Sequence, residues 1–465
     1  MTRATWRTRI GFILAAVGSA VGLGNVWRFP WLTAENGGAA FLVLYLALIV
    51  AVGVPGLIGE LVIGRRSGRN PVGAFRELGG DRFRFLGAIA LLAAAVVLSF
   101  YSVVGGWILR YTLSSATGAY FAAPGEYFAA IDYGLGAVAF HAAFLFATVA
   151  VVHLGVDRGI EASTTLMVPG IVVLLGGLAV WVATLPGAAE GYAFYLSLDV
   201  GYLRENFLDV LVAAAGQALF TLSVGAGAML TYASYLGEDR SLAADGTLIA
   251  VLNTAIGVLA GLVVFPLLFS LGVSPGQGGP GALFVSLAGA FGDLPYGRIV
   301  GVVFFGVVLL AALSSAISIL EVLVSYLIDE HGRSRLQATL GAGGLLLVTG
   351  SVAAASPAVF GLLADTIANL VLTAGLIGFL LFDGWVLGRL AREEFERGAG
   401  RLARLVSLPW YVAIAVALPV FLAFTFVTGV GSVLGIPISS PIAVAVAVVG
   451  VAAVAAVFAR CSPSE

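Results

Sequence analysis

Apolar runs long enough to cross a hydrocarbon core, about 20 residues each, recur about twelve times along the chain. They predict spans near 10–33, 38–64, 84–118, 134–154, 163–184, 206–235, 241–272, 297–328, 335–355, 360–389, 407–431 and 440–459. The stretches between them are too short for a soluble domain, so residues 1–465 read as one membrane-embedded unit, an all-α protein lying in a lipid bilayer. The loops at 185–205 and 273–296 are longer and carry the apolar patches "FYLSL" and "GALFVSLAGAFG", which predict short helices packed at one face. The first run starts near Ile10, lasts too long for a signal peptide and lacks a small-residue cleavage pattern, so it is read as a retained span.

Two spans are interrupted. "GSAVGLGNVWRFP" (18–30) puts three glycines, an asparagine and an arginine near the middle of the first, and "GQALFTLSVGAGAMLTYASY" (216–235) puts glycines among hydroxyl residues in the sixth. A lone glycine in a membrane helix often serves close packing. Two breaks five helices apart instead predict an inverted five-helix repeat, 10–184 and 206–389, followed by helices 11 and 12 within 407–459. Where a helix unwinds, freed carbonyls become ligands for a hard cation and freed N–H groups attract an anion, and glycine permits the backbone angles required.

Composition agrees with the hydropathy pattern. The chain is 60% hydrophobic and 10% charged, with a net charge of −2, and its mean hydropathy is +1.06. All 23 basic residues are arginine. Most fall on the side of the N-terminus, Arg204 and Arg298 fall opposite, and Arg28 and Arg110 lie within spans. By the positive-inside rule both termini are therefore expected in the cytoplasm, in a plasma or inner membrane. Cys461 is the only cysteine, which excludes an intrachain disulfide. His141, His153 and His331 share no face, and no Ser/His/Asp set or paired catalytic carboxylates appear, so neither a metal centre nor an enzyme is indicated, and nothing suggests a nucleic-acid partner. Catalytic residues are expected to be none.

The two broken spans, with "ENGGAAF" after the first, "GELVIGR" at 59–65, "LSSAIS" at 313–318 and "YLIDE" at 326–330, resemble the neurotransmitter:sodium symporter family, including its bacterial amino-acid transporters; the broken-helix architecture is the one for which that family serves as a general example. The resemblance implies sodium-coupled symport of a neutral amino acid by alternating access, with two sodium sites. One would use Ala20, Asn25, Thr221 and Asn253 with the substrate's own carboxylate; the other would use Gly18, Val21, Ala311, Ser314 and Ser315. The carboxylate would lie against Leu23, Gly24 and Tyr101, and the amine near carbonyls of Ala20, Phe220 and Thr221. The side chain would lie among Val97, Tyr101, Phe220, Ser223, Ala226, Ser315 and Ile319. Amine transporters of the family place an aspartate at position 22. Gly22 therefore favours an amino acid, and the small Ala226 favours a large aliphatic or aromatic one.

The same resemblance implies an outer gate of Arg28 with Asp365, whose spacing to Asn369 is one residue shorter than in relatives, and with Gln217 on the other side. The inner gate would join Arg3 to Asp329 over Trp6, Ser234 and Tyr235. Chloride-dependent relatives resemble the chain at Tyr45, Gln217, Thr221 and Asn253 but carry serine where Gly257 stands, so chloride dependence stays open, as does oligomeric state. Among buried acids, Glu60 is expected to pair structurally, while Glu321 and Asp383 are candidates for pairing or for a coupled proton. A proton-coupled or sodium-independent carrier on the same fold is the alternative, and a non-transporting sensor a more distant one.

Overall fold

A computed structural model describes residues 5–237, 240–272, 283–436 and 439–460. Arg3, Cys461 and the first part of the 273–296 loop lie outside the described residues. Among those described, ten helices are long and apolar enough to cross a membrane, and a bent pair forms an eleventh crossing. We number them α1a (Arg9–Ala20) and α1b (Gly24–Glu35), α2 (Ala39–Ser67), α3 (Asp81–Ser115), α4 (Leu135–His153), α5 (Val156–Val182), α6a (Phe207–Thr221), α6b (Ala228–Ala233), α7 (Leu242–Ser270), α8 (Gly297–His331), α9 (Arg335–Ala355), α10 (Pro357–Leu387), α11 (Arg401–Gly431) and α12 (Ser440–Arg460). α6a is a shorter apolar helix, and the six-residue α6b follows it across the second break.

Local signals fix the helix ends. Thr8 caps α1a by accepting from the Gly11 N–H, Ser241 caps α7, and Ser334 with Gln337 forms a capping box at α9. Predicted boundaries move where a charged residue finds a partner. The fifth span, expected from 163, begins at Val156, and Glu161, five residues in, receives the Arg7 N–H (2.9 Å) and the Thr8 hydroxyl (2.9 Å) instead of facing lipid. The eleventh begins at Arg401 rather than 407, its polar first turns lying beside the short helix Arg389–Glu396. The loop at 185–205 does hold short helices, Ala188–Leu196 and Val200–Glu205, the first packed on α7.

α3 packs along α8 and against α4 and α10, and α9 covers α4. α1a lies against α5, α7 and α8, while α2 packs on α6a, α6b and α7. Helices 1 and 6 are thus enclosed on most sides, and their breaks fall deep in the protein. α12, by contrast, exposes Ile442, Val444, Val446, Val448 and Val449, a surface suited to hydrocarbon and not to water.

Candidate functional site

The first break follows from the sequence in detail. α1a stops at Ala20, Val21 is extended (ψ 103°), and the chain restarts at Gly24 with a 49° bend. The amides of Asn25 and Val26 turn back to the Gly22 carbonyl at 3.1 and 3.4 Å. In the second break Ser223 (φ 53°), Gly225 (φ 94°) and Gly227 (φ 72°) take left-handed angles. A serine there is costly and persists only when its surroundings hold it. They do: Ser223 Oγ donates to the Ser19 carbonyl at 3.0 Å, and Gln217 Nε2 donates to the Gly24 carbonyl at 2.7 Å. Glu60, fully buried on α2, accepts the N–H groups of Gly225 and of Leu230 (3.3 Å). That carboxylate therefore caps the freed amides of helix 6, the structural role expected of it.

The breaks gather oxygen atoms in two places. In the first, Asn25, Thr221 and Asn253 are wholly buried. Asn25 Oδ1 accepts from the Gly22 N–H (3.2 Å), and its Nδ2 donates to the Asn253 carbonyl (3.0 Å) and side-chain oxygen (2.9 Å). The Asn253 amide lies 3.2 Å from the Thr221 hydroxyl, and with its two ends exchanged it also reaches the carbonyls of Ala20 (3.2 Å) and Thr221 (3.3 Å). In the second, Ser314 Oγ lies 3.0 Å from the Ala311 carbonyl and 3.4 Å from that of Val21. Ser315 Oγ is 3.0, 3.2 and 3.4 Å from the carbonyls of Ser19, Val21 and Gly18.

These residues fit a hard cation. Such ions take oxygens at about 2.3–2.6 Å, which puts neighbouring oxygens roughly 3.3–3.7 Å apart around an octahedron. The 3.0–3.4 Å spacing around Ser314 and Ser315 is close to that. The carbonyls of Gly18 and Val21 also lie at the C-terminal end of α1a, where the helix dipole is negative. Both donor sets contain only neutral oxygen among the protein's own atoms, which suits a monovalent ion better than a transition metal.

Beside the oxygens lies a small cavity. Of the predicted pocket residues, Ala20, Gly22, Leu23, Gly24, Val97 and Tyr101 line it from helices 1 and 3; Phe220, Ser223 and Ala226 line it from helix 6, and Ser315 and Ile319 from α8. Thr221 does not; its hydroxyl faces Asn253 behind the wall. Val224 and Leu372 line the cavity and were missed by sequence reasoning. Leu372 carries no signal in the sequence, because it lies in an apolar helix whose faces are alike in composition. The Tyr101 hydroxyl accepts the Leu23 N–H at 3.2 Å. A Cβ at position 22 would stand 2.4 Å from Ser315 Oγ and 2.7 Å from Tyr101 Oη. Any side chain there has to displace both hydroxyls, and an acid more so.

Residues 3–123 and 132–430 match the profile of the Sodium:neurotransmitter symporter family. The chain belongs to this family. It is similar to an uncharacterized sodium-dependent transporter of Bacillus subtilis, 33% identical over 92% of this chain and 97% of the relative. A second sodium-dependent transporter, from Methanocaldococcus jannaschii, is 33% identical over 75% of this chain and 74% of its own length. Among solved structures, the crystal structure of MhsT in complex with L-phenylalanine superposes with a TM-score of 0.81 at 36% identity, covering 92% of this chain and 100% of the other. The protein is accordingly a sodium-coupled membrane transporter and not an enzyme.

The transporter's expected gates form only in part. Arg28 does not ion-pair with Asp365: its guanidinium lies 4.6 Å over the Phe220 ring and Nη1 is buried without a partner, although Asp365 is near enough to act on it through space. Asp365 instead lends its backbone carbonyl to Asn369 Nδ2 at 2.9 Å. Gln217 does not hold Arg28 either: its Nε2 donates to the Gly24 carbonyl, and its Oε1, the atom that could accept from a guanidinium, has no hydrogen-bond partner. Asp365 sits in a wide turn of α10, Leu362–Ile367.

At the arginine-rich face, Trp6 packs against helix 6. Its Nε1 donates to the Tyr232 carbonyl (2.9 Å), and its ring meets those of Tyr232 (5.1 Å) and Tyr235 (6.3 Å) edge-on. Ser234 Oγ donates to the Thr231 carbonyl at 2.6 Å. Asp329 receives the Asn70 N–H at 3.1 Å, a partner the sequence did not indicate, while Arg3 falls outside the described residues. Glu321 is ion-paired with Arg335 (2.5 Å) and accepts the Tyr235 hydroxyl at 2.8 Å. Its carboxylate is therefore engaged in pairing. Further clasps on this face join Arg9 and Arg240 to Asp245, and Arg65 to Glu394. Asp383 is buried with neither oxygen hydrogen-bonded. The Tyr45 hydroxyl, 3.9 Å from where a Cβ on Gly257 would stand, and Gln217 Oε1 are likewise buried without hydrogen-bond partners.

Proposed function

We propose that the protein carries a neutral amino acid with a large aliphatic or aromatic side chain, driven by two sodium ions. The observation that supports this most is the composition of the central cavity. One end offers backbone N–H groups of Leu23 and Gly24 and the Tyr101 hydroxyl, donors for a carboxylate; the rest is walled by Val97, Phe220, Ala226 and Ile319. Gly22 leaves no acid to meet an amine ligand's ammonium, so the ligand brings its own carboxylate. The solved relative holds L-phenylalanine, a ligand of the same class.

Ala20, Asn25, Thr221 and Asn253 would hold one sodium together with that carboxylate, so ion and substrate support each other directly. Gly18, Val21, Ala311, Ser314 and Ser315 would hold the second, bridging α1a to α8. Two charges moving through 100 mV supply about 4.6 kcal/mol, enough to concentrate a neutral solute roughly a thousandfold or more. Residues 10–184 and 206–389 would be the inverted repeats. Helices 1, 2, 6 and 7 would rock against the rest, with the arginine-rich face in the cytoplasm.

The test is competition by the full set of amino acids against one labelled amino acid in proteoliposomes, with and without a sodium gradient. Sodium-dependent uptake with leucine, phenylalanine or tryptophan as the best competitors is the expected result. Strong competition by glycine and alanine alone, or uptake indifferent to sodium, overturns the proposal.

A further inference from the structure

A second small cavity lies between α6a and α10. It shares three wall residues with the central cavity: Phe220, Val224 and Leu372. Phe220 is committed beneath the Arg28 guanidinium, and Val224 belongs to the unwound segment of helix 6. Leu372 is the contribution of α10 to the partition.

Leu372 cannot back away from the site. Gly225, at φ 94°, lies so close to the α10 backbone that a Cβ on it would stand 2.3 Å from the Leu372 carbonyl oxygen. One turn on, a Cβ on Gly375 would stand 2.6 Å from the Gly225 carbonyl oxygen. The two backbones are pressed together on either side of the leucine, and Glu60 pins the Gly225 amide from the third direction. With the backbone fixed and only an alanine methyl at position 226, the free variable at this end of the cavity is the size of the side chain at 372.

We propose that Leu372 sets the upper size limit of the transported side chain by closing the central cavity off from the space between α6a and α10. Leu372→Ala joins the two cavities and favours bulkier ligands; Leu372→Phe shortens the pocket and favours smaller ones. This rests on the reading of the cavity as an amino-acid site.

The experiment measures sodium-dependent binding of valine, leucine, phenylalanine and tryptophan to the purified full-length protein and to three variants: Leu372→Ala, Leu372→Phe and the near-isosteric Leu372→Met. One methylene in an apolar pocket is worth roughly tenfold or more in discrimination. The ratio of valine to tryptophan affinity is therefore expected to fall about tenfold in Leu372→Ala, to rise about tenfold in Leu372→Phe, and to stay near that of the unmodified protein in Leu372→Met. Half-saturating sodium should be the same in all, since residue 372 lies apart from both oxygen clusters. An unchanged ligand order in Leu372→Ala and Leu372→Phe overturns the proposal, and if the alanine variant does not fold, the phenylalanine variant decides alone. Failure of the unmodified protein to bind any of the four amino acids in sodium refutes the amino-acid reading instead.

Discussion

Gly22→Ala is the sharpest probe of the central site, because it adds a single methyl where two polar groups already stand. That carbon would sit 2.4 Å from Ser315 Oγ, 2.7 Å from Tyr101 Oη and 3.2 Å from Ser315 Cβ. Both hydroxyls have to retreat by several tenths of an ångström. Ser315 then loosens its contacts with the carbonyls of Ser19 and Val21, and Tyr101 its bond to the Leu23 amide. Overpacking of this kind costs about 1–3 kcal/mol, and a weakened buried hydrogen bond about 1 kcal/mol more. The sum, roughly 2–4 kcal/mol, corresponds to about a thirtyfold to thousandfold loss of affinity. Radioligand binding to purified protein, titrated with ligand and separately with sodium, reads both consequences, since Ser315 belongs to an oxygen cluster and Tyr101 to the cavity. Gly176→Ala, where nothing lies within 4 Å of the added carbon, is the matched control. If Gly22→Ala binds ligand and sodium within twofold of the parent, the placement of the carboxylate beside Gly22 is wrong.

Three further outcomes follow from buried charges. Glu60→Leu strands the Gly225 and Leu230 amides, at about 1–3 kcal/mol each; thermal unfolding in detergent should show a large drop, and a smaller one for Glu60→Gln, which keeps an acceptor. Arg335→Ala leaves the Glu321 carboxylate uncompensated and is expected to destabilise by roughly 3 kcal/mol, with part of the loss regained in the double variant with Glu321→Leu; equal stability of Arg335→Ala and parent would contradict the pairing. Glu161→Ala removes the acceptor for the Thr8 hydroxyl and Arg7 amide, a capping loss of about 1 kcal/mol. In a Cys461→Ser background a cysteine at Ser234, 6% exposed, should then react with a thiol reagent about fivefold faster. An unchanged rate counts against a clasp at Glu161.

Both broken helices could be read from the chain because glycine, asparagine and hydroxyl residues are out of place in a lipid-spanning run, and their offset of five helices carries its own meaning. The oxygen clusters followed from the family resemblance, and the fold brings every member of each together. What stayed hidden was pairing across long separations. Glu161 and Arg7 are 154 residues apart, and nothing local in "DRGIEAS" says that its acid reaches back to the first helix. Asp365 was found as an acid near the right depth, yet the sequence could not say that the Arg28 guanidinium would lie on the Phe220 ring instead. Leu372 was invisible for a different reason. α10 is apolar on several faces, so composition does not mark the one that meets the helix 6 break.

Most of the polar atoms that face the cavity and the oxygen clusters from residues 18 to 24 belong to the main chain. Side-chain mutagenesis is nearly blind to such a site. Ala20 is already alanine, and replacing Val21 leaves its carbonyl where it was, so an alanine scan across this stretch would report Gly18, Gly22 and Gly24 through steric exclusion and pass over the atoms that do the coordinating. The stretch can consequently vary in sequence only toward residues no larger than those present. Its chemistry becomes accessible to experiment through amide-to-ester replacement of the backbone, which weakens one chosen carbonyl as a ligand while leaving every side chain in place.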